Sequence, residues 1–166
     1  MTQRVPQDDT HKRAVCSACN YIDYQNPKII TGVLPVIDDE ILLCKRALEP
    51  RYGKWTIPSG FMELNETVEE GALREAYEEA GISPKIKQLY CVYNLPHIGQ
   101  VYFLYLATLS HRNVTPGIET SEAYFAKLSD IPWEEIAFSS VTFALKKYIN
   151  DYKNKSYLLH TGVYKS

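Results

Sequence analysis

The sequence predicts an α/β fold in which a mixed β-sheet is sandwiched between helices, an α/β/α arrangement. Three observations lead there. Short β-branched and apolar runs recur along the chain, and two longer segments, 67–80 and 139–152, carry apolar residues at helical spacing. The first of those segments has clear helix ends. The chain's 166 residues, 45% of them apolar, suit one compact domain with a sizeable core and leave little room for a second.

The elements follow in order. Residues 1–13 are polar and read as a mobile lead-in. Cys16-Ser-Ala-Cys19 opens a short polar segment that ends at Tyr24-Gln-Asn-Pro-Lys28. The run KIITGVLPVI over 28–37 reads as a strand. Pro35 cannot donate to a ladder, so this strand is expected at a sheet edge or with a bulge there. Asp38-Asp39-Glu40 is the turn into a second strand, 41–46, which makes the pair a hairpin. Residues 49–53 are a loop, 55–58 a short extended piece, and Ser59-Gly60 a tight turn. A helix follows over 67–80. Thr67 and Glu70 fit a capping box, and Gly81 stands where a left-handed cap is wanted. Strands are expected at 85–93 and 100–109 around the 95–99 loop, and at 123–128 after a loop at 113–121. The second helix sets Val141, Leu145, Tyr148 and Tyr152 on one face. The tail from Asn154 contains Tyr157-Leu-Leu, an apolar run able to dock on the domain.

Composition excludes several classes. The net charge of −2 gives no global positive field to draw nucleic acid, so no nucleic-acid partner is expected. An anionic substrate needs local basic side chains or bound cations. No apolar run approaches a membrane span, and the polar start is unlike a secretory signal. Four cysteines, two of them in strand-like runs, are not a disulfide framework, so a cytoplasmic location is expected.

On a wheel at ~100° per residue, Ala72, Leu73, Ala76, Tyr77 and Ala80 form an apolar stripe, and Glu75, Glu78 and Glu79 a separate acidic face. Like charges at this spacing cost ~0.2–0.5 kcal/mol per pair. A divalent cation is the simplest way to offset that, and carboxylate oxygens suit hard ions such as Mg²⁺ or Mn²⁺. The alternative is a solvated acidic face with Arg74 screening Glu70 and Glu78. Gly71 argues against an idle surface helix, because a mid-helix glycine costs ~1 kcal/mol relative to alanine.

The segment from Gly60 to Ile82 decides between them. It reads Gly60, five residues, Glu66, seven residues, Arg74-Glu75, Ala76, any residue, Glu78-Glu79, any residue, Gly81, Ile82. Seven fixed positions give a chance match on the order of one in a hundred million or rarer per start. This pattern resembles the Nudix box without a gap. The resemblance implies a Mg²⁺-dependent hydrolase of nucleoside-diphosphate-linked substrates. It implies that Glu75, Glu78 and Glu79 ligate metal together with the backbone carbonyl of Ser59, and that Arg74 and Glu66 orient the glutamates. The general base is expected in the later loop, from Glu119 or Glu122, with Glu122 preferred because it directly precedes a strand.

Further runs are similar to a bacterial and plant subgroup of that superfamily which includes FAD and ADP-ribose pyrophosphatases: Tyr24-Gln-Asn-Pro-Lys28, Leu42-Leu-Cys-Lys-Arg46, Gly53-Lys-Trp-Thr-Ile-Pro58, Pro96-His-Ile-Gly-Gln100 and Ala137-Phe-Ser-Ser140. The Ser-Gln-Pro-Trp-Pro signature of NADH pyrophosphatases is missing. Relatives in this subgroup carry an amino-terminal zinc ribbon with two CxxC knuckles. Here Cys16 and Cys19 supply one, against the four ligands that structural zinc wants. Either the ribbon has decayed or Met1 lies inside a longer natural chain. The expected organisation is residues 1–27 as a ribbon remnant and 28–166 as the Nudix domain. An ADP-like group needs a phosphate contact, for which Arg46 is the candidate, and a stacking ring, for which Tyr52, Trp55, Tyr93 and Tyr102 are candidates. The expected reaction is cleavage of FAD or ADP-ribose to AMP. The alternatives are a sanitising nucleoside triphosphate hydrolase and a ligand sensor without turnover. A homodimer is expected by family analogy alone.

Overall fold

The computed structural model describes residues 1–165. Two sheets are present. The smaller is antiparallel, in the order β1 (Thr2–Arg4), β2 (Arg13–Val15), β3 (Ile22–Asp23). It replaces the lead-in expected over residues 1–13. Strands of two or three residues show no periodicity in a sequence, so pattern reading misses them. Asp9 holds the connecting turn by accepting from the backbone N–H groups of Thr10 (2.6 Å) and His11 (2.9 Å) and from Arg13 Nε (2.9 Å). Cys16 and Cys19 lie in the turn between β2 and β3. There the Asn20 N–H donates to the Cys16 carbonyl, and the Cys16 N–H to that of Tyr21.

The larger sheet contains β4 (Lys28–Ile37), β5 (Glu40–Arg46), β6 (Trp55–Thr56), β7 (Ser59–Phe61), β8 (Lys85–Leu95), β9 (Gln100–Thr108), β10 (Thr120–Lys127) and β11 (His160–Val163). Its order is β10-β5-β4-β9-β8-β11, with β6 added to β5 and β7 to β4. The β4/β9 and β8/β11 pairs are parallel and the others antiparallel, so the sheet is mixed. The helices α1 (Val68–Ala80) and α2 (Ser139–Asn154) cover opposite faces. Side-chain alternation along the strands divides the core accordingly. Val33, Leu42 and Cys44 pack with Ala72, Ala76 and Ala80 of α1. Leu34, Val36, Ile41 and Leu43 pack with Val141, Ala144, Leu145 and Tyr148 of α2.

Four expectations are corrected. First, β4 is central rather than at an edge. The Lys28 N–H donates to Gly99 on the β9 side and the Val33 N–H to Pro58 on the other, so odd-numbered N–H positions face away from β9. Pro35 therefore faces the gap between the β7 ladder at Ile30–Gly32 and the β5 ladder at Val36–Ile37, where no donor is required. Second, Ser59-Gly60 is part of β7, not a turn. A Cβ at Gly60 would run into the Glu75 carboxylate, which Arg74 holds in place. Third, Tyr77 is exposed, and the buried face of α1 is Gly71, Ala72, Glu75, Ala76, Glu79 and Ala80. Fourth, of the Tyr157-Leu-Leu run only Tyr157 docks, against Tyr148 with ring centroids 5.9 Å apart, while Leu158 and Leu159 stay exposed and β11 adds the main contact of the tail.

Both ends of α1 match the sequence reading. Thr67 Oγ1 accepts from the Glu70 N–H, Glu70 Oε2 accepts from the Thr67 N–H, and Gly81 caps the helix with φ 64°. The close packing expected at Gly71 is present, since a Cβ there would meet Glu66 Oε1 at 2.6 Å and Thr31 Cγ2 at 2.8 Å.

Candidate active site

The acidic side of α1 faces a cavity of about 1070 Å³. Glu75 and Glu79 are buried, whereas Glu78 is exposed. One side chain organises them. Arg74 donates from Nε to Glu66 Oε2 (3.0 Å), from Nη1 to Glu75 Oε1 (2.7 Å) and Glu78 Oε2 (2.9 Å), and from Nη2 to Glu66 Oε1 (2.8 Å) and the Phe61 carbonyl (3.1 Å). A guanidinium has five N–H donors, and these five bonds employ all of them. Arg74 thus ties the loop before the helix to two of its carboxylates. It does not pair with Glu70, which is held in the cap. Glu66 also accepts from the Glu63 N–H at 2.7 Å. The Arg74 hydrogen bonds, with that N–H, hold the Glu66 carboxyl down at about 2, so it stays ionised as a fixed anchor.

Burial acts oppositely on the other two. It pushes Glu75 above its usual value, against the pull of Arg74. Glu79 is pushed up to about 8, by burial first and then by the charge of Glu75. Its Oε2 is buried without a hydrogen-bond partner, and such an atom calls for a compensating charge. Oxygen donors of this kind fit a hard divalent ion. Glu75, Glu78, Glu79 and Ser59 all line the same cavity. As placed here, Glu75 and Glu78 converge on Arg74. Among the described residues no group of three or more Cys, His, Asp or Glu side chains is already gathered around a metal position, neither at the cysteine turn nor at the glutamates.

The loop before β10 completes the floor. The Thr115 and Gly117 N–H groups donate to the carbonyls of Ala80 (2.8 Å) and Glu79 (3.1 Å) at the end of α1. This contact turns Glu119 into the cavity, where its charge also raises Glu75 and Glu79. Glu122 is not brought there. It sits on β10 at an irregularity in the ladder, with an ion pair of 3.3 Å to Lys45.

Arg46 lines the cavity, with Nε donating to the Pro50 carbonyl (2.8 Å) and its guanidinium 5.1 Å from the Phe138 ring centroid. Tyr102 lines it too. Tyr52 is exposed outside it, and Trp55 is core, edge-on to Tyr124 at 4.6 Å. Tyr93 packs on Phe143. The rings that do reach the cavity include Phe61, His97, Phe138 and Tyr164. His97 and Phe138 lie in runs the subgroup resemblance quoted, but none of these four was singled out as a binding ring, because each belongs to a loop, a short strand or a helix cap without periodicity.

An acidic helix held by one arginine, beneath a nucleotide-sized cavity on a mixed sheet, defines a hydrolase site of the Nudix kind, and the chain belongs to this family. The family model described as NUDIX domain matches residues 27–151, and the zinc-ribbon model described as Nudix N-terminal matches residues 1–25. An ADP-ribose pyrophosphatase of Methanocaldococcus jannaschii is 33% identical over 135 residues, covering 78% of this chain and 75% of that protein. The NAD-capped RNA hydrolase NudC of Photobacterium profundum is 32% identical, covering 71% of this chain and 44% of that protein. Among solved structures, a NUDIX hydrolase from Nitrosomonas europaea superposes with a TM-score of 0.95 at 44% identity, covering 99% of this chain and 94% of that one. The protein is a Nudix hydrolase, acting on acid anhydrides. Among the described residues no helix is long and apolar enough to cross a membrane.

Proposed function

We propose that the protein hydrolyses the pyrophosphate bond of a nucleoside diphosphate linked to a second group, ADP-ribose or FAD, and releases AMP with Mg²⁺ as cofactor and Mn²⁺ as a substitute. The observation that carries this reading is the partnerless buried oxygen of Glu79 beside Glu75, on the floor of a cavity whose rim is aromatic. The floor suits metal and diphosphate, and the rim suits a ring. Similarity to an ADP-ribose pyrophosphatase over three quarters of that protein's length supports the same substrate class.

Glu75, Glu78, Glu79 and the Ser59 carbonyl hold the cation. A divalent ion so held neutralises diphosphate charge and makes bound water easier to deprotonate. Arg74 and Glu66 keep the glutamates in position. Arg46 contacts phosphate. Glu119, rather than Glu122, takes the proton from the attacking water, since it lies in the cavity without an ion-pair partner among the described residues. Position and charge stabilisation supply most of the catalysis in phosphoryl chemistry. Residues 1–27 form a separate ribbon-like segment ahead of the catalytic domain at 28–166.

The test is a turnover screen with Mg²⁺ on ADP-ribose, FAD, NADH, diadenosine polyphosphates, nucleoside triphosphates and NAD-capped RNA, comparing the wild type with Glu78→Gln. AMP from ADP-ribose or FAD, abolished in the variant, is the expected result. Pyrophosphate release from triphosphates alone would favour the sanitising hydrolase, and binding without turnover the sensor.

A further inference from the structure

We propose that Tyr164, beyond the end of β11, is the substrate-recognition residue of this site: with His97 it forms the aromatic wall on which the planar ring of the nucleotide stacks. The inference rests on the nucleotide reading above and names the part of the chain that selects the ring.

β11 is held in place by more contacts than its share of the core calls for. It is an edge strand of four residues with alternating half-buried and exposed positions. The segment leading into it packs Tyr157 beside Tyr148 but leaves Leu158 and Leu159 in solvent. Its placement is nevertheless fixed at several points. It pairs in parallel with β8 from His160↔Cys91 to Val163↔Asn94. Asn94 Nδ2 donates to the Gly162 carbonyl (3.1 Å), and the Tyr164 N–H donates to the Asn94 carbonyl (2.9 Å). Gly162 lies so close to Tyr93 and Phe143 that a Cβ would meet their rings at 2.8 and 2.9 Å. His160 Nε2 lies 2.7 Å from Asp151 Oδ2 of α2, which also accepts from Tyr90 Oη at 2.8 Å. These contacts run the chain along the edge of the sheet beside β8 and deliver Tyr164 to the cavity.

Tyr164 meets His97 there, with ring centroids 4.9 Å apart and planes at 37°. His97 is itself fixed, on the 3-10 turn Pro96–Ile98 that Gly99 closes with φ 62°. The Tyr164 ring stays 41% exposed and Ile98 55% exposed, and both line the cavity. A half-exposed aromatic pair beside exposed apolar side chains, continuous with a floor of carboxylates, is suited to one face of a planar heterocycle whose phosphates reach the floor. None of the other residues along β11 has this combination of exposure and access.

The experiment measures binding without turnover and then turnover. Metal-free protein is titrated by calorimetry with AMP, riboflavin 5′-phosphate and ribose 5-phosphate. The wild type should bind at least one of the two ring-bearing ligands more tightly than ribose 5-phosphate, and the preferred one identifies the ring. Tyr164→Ala should weaken that ligand by at least about fivefold, the low end of base-stacking losses, while Tyr164→Phe retains it. Thermal unfolding of both variants controls for folding. Equal binding of ligands with and without a ring overturns the inference. So does unchanged affinity in Tyr164→Ala, or a loss in Tyr164→Phe as large as in Tyr164→Ala. With Mg²⁺, the Tyr164→Ala defect should appear in KM more than in kcat. Ring binding through Tyr164 without hydrolysis of ADP-ribose or FAD would sink the reaction but leave this site standing. Hydrolysis with an unaltered KM in Tyr164→Ala would do the reverse.

Discussion

Glu79→Gln separates the metal role of this carboxylate from its structural cost. Burial moves the Glu79 carboxyl from 4.5 up to about 8 in the folded chain. The folded state therefore holds this proton more tightly than the unfolded chain does. Its contribution to stability is fully present below about pH 4.5 and is lost as pH rises to about 8. At about 1.4 kcal/mol per tenfold change in proton affinity, ionising it costs on the order of a few kcal/mol, with an upper bound of about 5. Glutamine has the same shape and cannot ionise. In urea unfolding with EDTA, the wild type should lose stability between pH 5 and 8.5, whereas Glu79→Gln should lose much less. The residual slope belongs to Glu75, which burial shifts in the same direction. At pH 8.5 the variant should be more stable by about 2–5 kcal/mol. Mg²⁺ should then stabilise the wild type, by about 2.7 kcal/mol at a hundredfold excess over Kd, and should fail to stabilise the variant. Superimposable wild-type and variant curves at pH 8.5, or a wild type that gains stability from pH 5 to 8.5, would refute the reasoning.

Other consequences can be measured directly. Arg74→Lys replaces a five-bond planar fork with a point charge, and should cost about 10–100-fold in activity or in the Mg²⁺ concentration for half-maximal rate; a near-normal Mg²⁺ titration would contradict the positioning role. Glu119→Gln should lower kcat by about 10²–10⁴-fold while Glu122→Gln stays close to wild type, and the opposite ranking would return the base to Glu122. Gly117→Ala drives a Cβ into the Glu78 backbone carbonyl oxygen, so the loop must shift. A loss of about 1–3 kcal/mol in chemical denaturation, with reduced kcat, is expected. Tyr90→Phe removes a hydrogen bond to buried Asp151, whose carboxyl His160 and Tyr90 hold below its ordinary value against the opposing effect of burial. The loss should be about 1.5–3 kcal/mol at neutral pH, shrinking as acid protonates Asp151; a loss that persists undiminished in acid would point to packing instead.

What the sequence made legible follows from the range over which each feature is determined. The ends of α1 are local, set by Thr67, Glu70 and Gly81 within a few residues, and they fall where the pattern puts them. The division of the core into two faces follows from alternation along β4 and β5, which is also local. Non-local close approach is invisible to such reading. Gly60 looks like a turn residue in isolation, yet its lack of a side chain is required by Glu75, fifteen positions later. Pro35 suggests an edge because the sequence cannot tell which neighbour an N–H faces. In the fold it faces the opening between β7 and β5, so a central strand tolerates it. The wheel put Tyr77 on the apolar stripe and the glutamates on a separate face, and left open whether that face meets solvent. Here two glutamates are buried, and the exposed tyrosine marks the helix's outer side. That inversion is itself informative. A helix that buries Glu75 and Glu79 and leaves Tyr77 in water violates the ordinary hydrophobic order at the place the proposed function puts the metal, and Arg74 offsets part of the charge of Glu75. The same limit explains Glu119 and Tyr164. Both reach the cavity through backbone contacts made elsewhere, Glu119 through Gly117 on α1 and Tyr164 through β11 on β8. The glutamates proposed to hold metal are therefore concentrated in one contiguous motif, while the proposed base Glu119 and the proposed stacking residue Tyr164 come from segments brought to the cavity by the fold.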